Sequence, residues 1–208
     1  MKAHVDARIG AEVLERARQA FCDDDAPAVR RLLEQYPGLK AIINASAESM
    51  HGPLITDAQS VEILDVLLDA GADVNARSNW WAGGFGLLDK AKPEVVAHAI
   101  ERGAVVTVHA AARLGMFETL RKLIEEDPER VHERGGDGQT PLHFASTVEI
   151  AEFLLSHGAD IDARDVDHES TPEQYMVRTR QDVARYLISR GCSTDLLMAA
   201  ALATRTWR

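Results

Sequence analysis

The stretch Asp137-Gly-Gln-Thr-Pro-Leu-His-Phe-Ala145, continued by Glu149-Ile-Ala-Glu-Phe-Leu-Leu-Ser-His-Gly-Ala-Asp-Ile-Asp162, decides how this chain folds. Thr140 stands where its hydroxyl can cap a helix by accepting a bond from a free backbone N–H of the first turn. Pro141 suits the first helical position, where its missing N–H costs nothing. Leu142 and Ala145 lie three apart and share a helix face, and the alanine lets a neighbouring helix approach closely. Val148, Ile150, Ala151, Phe153, Leu154 and Leu155 give the second helix a broad apolar face. Gly158 supplies the left-handed residue that ends it.

Pieces of this unit recur. Val61 to Arg77 repeats Val148 to Arg164 nearly residue for residue, 87 positions upstream, behind Gly52-Pro-Leu-Ile-Thr-Asp-Ala58. A weaker unit runs from Phe85 to Thr107 with Leu88, Ala91, Val95, Val96, Ile100 and Gly103-Ala104, and another from Val108 to Arg134 with Leu120, Leu123 and Ile124. The last full unit opens at Ser170, where Thr171 and Gln174 have capping-box spacing, and closes at Gly191. Val95, Ile100, Arg102 and Gly103 return 88 residues later as Val183, Ile188, Arg190 and Gly191, so the units recur in groups of three. Few residues separate the helices at Ala58 to Glu62 and Ala145 to Glu149, which puts the geometry of the first helix in doubt there.

The pattern Thr-Pro-Leu-His…Gly-Ala-Asp resembles the ankyrin repeat, in the irregular form with shortened units met in bacterial ankyrin proteins. The resemblance implies an all-α ankyrin-repeat solenoid of stacked helix-turn-helix units, about six repeats plus a truncated last one. It also implies that His143 ties adjacent repeats together through hydrogen bonds. The expected organisation is one domain over 1–208, with a degenerate N-terminal capping repeat at 1–51, the array at 52–194 and a truncated terminal helix at 195–208. Either that last helix is a cap, or the chain is a truncated relative of a longer protein. The poorly covered Leu196, Leu197 and Trp207 favour truncation, because a terminal repeat needs a polar outer face.

Composition narrows the function. Hydrophobic residues make up 46% of the 208, too many for a largely disordered chain. No apolar run approaches a membrane span, and the first residues lack the core of a signal peptide. Cys22 and Cys192 are too few for a disulfide framework, and Cys192 reads as a small buried thiol, so a cytoplasmic location is expected. The net charge of −10 disfavours nucleic acid and anionic membrane and favours a basic protein partner. Asp23-Asp24-Asp25 reads as a solvated cap between the first two helices.

Two inter-repeat loops carry the candidate contacts. The first is aromatic: Asn79, Trp80, Trp81 and Phe85 concentrate rings in a chain with only 5% aromatics. Tryptophan is enriched in binding hot spots, though these rings can equally fold back over their own loop. Gly83, Gly84 and Gly86 supply turn flexibility and do not form a phosphate loop, since no Lys-Ser/Thr follows. The second loop is acidic, with Asp165, Asp167, His168 and Glu169. It reads as a partner-contacting finger and not as a metal centre, because no further ligand group lies at metal spacing. Tyr175 and Arg178, with Arg180, offer an interface-like mix, and the arginines read also as a solvated face.

No nucleophile, acid–base pair or cofactor motif stands out, so neither enzyme activity nor a cofactor is expected. The expected function is a scaffold that binds a partner protein through hairpin fingers and the concave helix face. The alternative is the recognition portion of a longer enzyme or toxin/immunity-related protein whose C-terminal part is absent. A monomer is expected, with self-association through the C-terminal helix as the other option.

Overall fold

The computed structural model describes residues 10–44 and 52–194. The predicted terminal helix at 195–208, with Leu196, Leu197 and Trp207, lies outside the described residues, as do residues 1–9 and 45–51 of the predicted capping repeat. Among the described residues the chain is all-α. An isolated bridge pairs Arg77 with Gly86. The chain divides into two compact units, one comprising 1–80 and 84–105, the other 81–83 and 106–208.

In the first unit, α1 (Ala11–Cys22) packs on α2 (Ala26–Gln35). Asp25 of the acidic run caps α2, its carboxylate accepting the Ala28 amide at 2.9 Å. The short spacings of the sequence leave no room for full first helices. The segments Leu54–Asp57 and Leu87–Asp89 are single 3-10 turns, set before α3 (Val61–Asp69) and α4 (Pro93–Glu101) respectively. So short a segment cannot support itself in water. It persists because Ile55, Leu87, Ile63, Leu67 and Val95 bury one another's neighbourhood to 1% exposure or less. Asn44 and Asn75 tie successive turns in this unit. Asn44 accepts from the Asp73 amide at 2.9 Å, and Asn75 from the Val105 amide at 2.8 Å.

The second unit has two helical layers. The first helices, α5 (Val108–Leu114), α7 (Pro141–Phe144) and α9 (Pro172–Met176), pack one on the next. Behind them lie α6 (Phe117–Glu126), α8 (Val148–Ser156) and α10 (Gln181–Ser189). Ala111, Ala112, Leu142, Ala145, Leu154 and Leu187 are fully buried between the layers. As the sequence predicts, Gly158 ends α8 with φ of 92°.

Helices this short expose most of their terminal carbonyls, and two of the first helices, α5 and α7, are capped from the next repeat. Ser146 donates its hydroxyl to Ala112 O of α5 at 2.8 Å. Arg180 donates to Ala145 O at 3.0 Å and His143 O at 3.2 Å, closing α7. Arg180 is therefore a tie between repeats and not a solvated arginine. The cap at Thr140 works through His143, whose Nδ1 accepts the Thr140 amide at 3.1 Å while Nε2 donates to Ser170 O at 3.1 Å. That is the inter-repeat link the resemblance implied. Burial pushes this imidazole down to about 4, against the opposing pull of its Ser170 bond, so it is neutral near pH 7.

Candidate functional site

Three loops between repeats are built on one plan. An arginine precedes each: Arg77, Arg134 and Arg164. The next residue donates its amide to the carbonyl of the residue that closes the loop. These bonds are Ser78 to Phe85 O (2.8 Å), Gly135 to Gln139 O (2.8 Å) and Asp165 to Ser170 O (3.1 Å). The arginine then donates to the carbonyl just before the closure, at Gly84 O (2.6 Å), Gly138 O (2.6 Å) and Glu169 O (2.8 Å). Where the opening residue has an oxygen, it also accepts the closing amide: Ser78 Oγ from Phe85 at 2.9 Å, Asp165 Oδ1 from Ser170 at 3.1 Å. Two of these loops, the aromatic and the acidic, are the fingers that the sequence places between repeats, and the loop after Arg134 is a third.

Within the second unit the finger tips join through their backbones. The Asp137 amide donates to Gly83 O at 3.3 Å, and Asp137 O accepts the Val166 amide at 2.7 Å. Asp137 holds a left-handed φ of 54°, which turns its N–H and C=O towards opposite neighbours. Glycine is required for the close approach. A Cβ on Gly83 would lie 2.3 Å from Gly135 O, and one on Gly138 would lie 2.3 Å from Val166 Cγ2. The result is a continuous edge from Trp81–Gly83 through Asp137 to Val166. Trp81 (68% exposed) and Val166 (52% exposed) are among the few large apolar side chains open to solvent.

The acidic finger is organised around a carboxylate that is itself hidden. Asp165 is buried. It accepts the Tyr175 hydroxyl at 2.5 Å, the His168 amide at 2.9 Å and the Ser170 amide. Burial alone would raise its pKa, but these bonds outweigh it and hold the group below the usual carboxylate range. Burial, and then the Asp165 carboxylate, push the Tyr175 hydroxyl well above its ordinary value. His168 Nδ1 lies 3.3 Å from the Tyr175 hydroxyl and 3.6 Å from an Asp167 oxygen. Side-chain ligand atoms of Asp137, Asp167 and His168 fall within 4.8 Å of one another, giving the edge a compact polar cluster.

The structure thus gathers Asp165, Asp167, His168 and Tyr175 in one place, with Glu169 exposed beside them at φ of 53°. Of the aromatic candidates, Asn79 is exposed, while Trp80 and Phe85 are half-buried; Trp80 belongs to the first unit and Trp81 to the second. Arg178 is exposed, after α9. Sequence reasoning missed Asp137, Val166 and Gly83 as site residues. The signal that could have found Asp137 is its setting between glycines in Gly135-Gly136-Asp137-Gly138, a tip too small to hold anything away.

Residues 108–198 match the family model for ankyrin repeats, as three copies. Over that span the chain carries ankyrin repeats. It is 49% identical over 49 residues to the serine/threonine-protein kinase VIK of Arabidopsis thaliana, covering 22% of this chain and 11% of the kinase. It is 29% identical over 90 residues to ankyrin repeat and SAM domain-containing protein 6 of Mus musculus, covering 41% of this chain and 10% of that protein. The chain therefore spans about a tenth of the length of these curated relatives. Among solved structures it is similar to a chain from the complex of the Bd0816 predatory endopeptidase of Bdellovibrio bacteriovorus with immunity protein Bd3460. The TM-score is 0.49 at 20% identity, covering 85% of this chain and 98% of that one.

Proposed function

We propose that the chain is a non-enzymatic module that binds a protein partner, with the joined finger tips of the second unit as its contact edge. The observation that carries this reading is the pairing of exposure with rigidity. Trp81 and Val166 stand open on a backbone hydrogen-bonded edge, so little ordering cost falls due on association. The inner helix face adjoining the fingers extends the contact. Asp167, His168, Glu169, Tyr175 and Arg178 surround the acidic end of the edge. The partner is basic, in keeping with the net charge of −10, and the site of action is the cytoplasm. Among the described residues no helix is long and apolar enough to cross a membrane. The test is capture of partners from the native source by the wild-type chain and by Trp81→Ala. The reading expects loss of capture with helical content and melting unchanged, and it fails if the variant captures as well as the wild type.

A second reading, that these repeats are the recognition portion of a longer enzyme, draws support from the kinase relative, of which they match only a small part. An open reading frame that continues past Arg208 into a catalytic domain supports it, and a stop codon there removes it.

A further inference from the structure

We infer that the finger edge of the second unit takes a cationic segment of its partner, with arginine or lysine side chains flanked by aliphatic ones. The inference rests on the proposed contact edge and adds the chemistry of its occupant. The apolar part of the surface is small and divided, Trp81 at one end and Val166 at the other, with Asp137 between them in the hydrogen-bonded order. An entirely apolar partner would strip water from the carboxylates of Asp137 and Asp167, which is unfavourable for charged groups. A guanidinium or ammonium is instead attracted to the negative charge there, and the exposed indole of Trp81 adds an aromatic face for such a cation.

Local charge agrees. The middle and acidic fingers of this edge, with the residues just ahead of them, hold Glu133, Asp137, Asp165, Asp167 and Glu169 against Arg134 and Arg164. Both arginines donate to finger carbonyls: Arg134 to Gly138 O and Arg164 O, and Arg164 to Glu169 O. The edge is therefore acidic with its own cations turned to the backbone, and Val166 offers the aliphatic part of the incoming segment a place to pack.

The experiment is an NMR titration of the full isotopically labelled chain with two glycine-flanked peptides, Leu-Arg-Leu-Arg-Leu and Leu-Glu-Leu-Glu-Leu. The arginine peptide is expected to shift the Trp81 indole and the amides of Asp137, Val166 and Asp167, with a Kd below about 1 mM. Its affinity should drop by about fivefold between roughly 50 and 300 mM salt. Asp137→Asn with Asp167→Asn should weaken it by a similar factor, and asparagine tolerates the left-handed backbone at 137, so the edge itself survives. Equal shifts from the glutamate peptide on the same residues would overturn the cationic occupant and leave the contact edge standing. Shifts confined to other surfaces, or none, would overturn both. Saturation of Asp137, Asp167 and His168 by zinc ion at concentrations far below those of the peptide would assign the cluster to a metal and also overturn the inference.

Discussion

The aromatic and acidic fingers stand 87 residues apart in sequence and start from the same scaffold, yet they hold themselves together by different means. Arg77, Ser78 and Phe85 do in one what Arg164, Asp165 and Ser170 do in the other. In the aromatic finger the opening residue is a serine with one oxygen, half-buried, and the loop is longer. In the acidic finger it is a buried carboxylate that gathers Tyr175 and two amides. The support beneath differs as well. His143 donates to the closing carbonyl of the acidic finger, whereas the position 87 residues upstream is Thr56, whose hydroxyl bonds locally to Pro53 O. A shared backbone plan thus gives one finger a buried carboxylate at its opening position with a neutral imidazole beneath, and the other a serine there, its buried carboxylate being Asp89, which pairs with Arg77 at 3.4 Å and accepts the Gly86 amide at 2.7 Å.

The largest effect that can break this comparison is expected at its opening residues. Asp165→Ala should cost about 4 kcal/mol, since it strands two amides and a hydroxyl, while Ser78→Ala should cost about 1 kcal/mol. Urea unfolding of both variants measures the difference, and equal costs would refute it. Acid comes next. His143 is neutral when folded down to about pH 4, whereas the unfolded chain takes up the proton near 6.5. Its contribution is complete above pH 6.5, declines as pH falls towards 4, and amounts to about 3 kcal/mol. Subtracting the stability profile of His143→Gln from that of the wild type isolates this slope; a flat difference between pH 6.5 and 4 contradicts it.

Smaller effects sharpen the account of the joined tips. Gly83→Ala meets Gly135 O at 2.3 Å with φ of 130° and should cost about 2 kcal/mol. Gly158→Ala, with φ of 92° and nothing within 4 Å of its new methyl group, should cost about 1 kcal/mol. Thermal melts that rank them the other way would remove the close-approach argument. Least of all, Trp81→Ala should change stability by less than about 0.5 kcal/mol, and Trp80→Ala by more, because only Trp80 is substantially covered.

Much of this architecture is legible in the sequence because it is written in side chains. Val61 to Leu68 and Val148 to Leu155 carry their apolar faces openly, Gly158 marks its helix end, and the tight spacing at Ala58 already puts in doubt the first helix that the structure shows as a single turn. The site is less legible because it is written in the backbone. The bonds from Asp137 to Gly83 and Val166 join residues far apart in sequence through amides and carbonyls that every residue has. The part that side chains do encode, an arginine ahead of each finger, hides behind unequal loop lengths. Likewise nothing local to Arg180 announces that its guanidinium closes the helix of the preceding repeat.

The central claim, that the joined finger tips are where a partner sits, is tested most directly by site-specific photo-crosslinking. A benzophenone amino acid placed at Trp81, at Val166 and at Val105, an equally exposed residue of the other unit (67%), provides the comparison. In extracts of the native source, the same partner band should appear from positions 81 and 166 and not from 105. A band from 105 alone, or bands of equal strength from all three, would contradict the account.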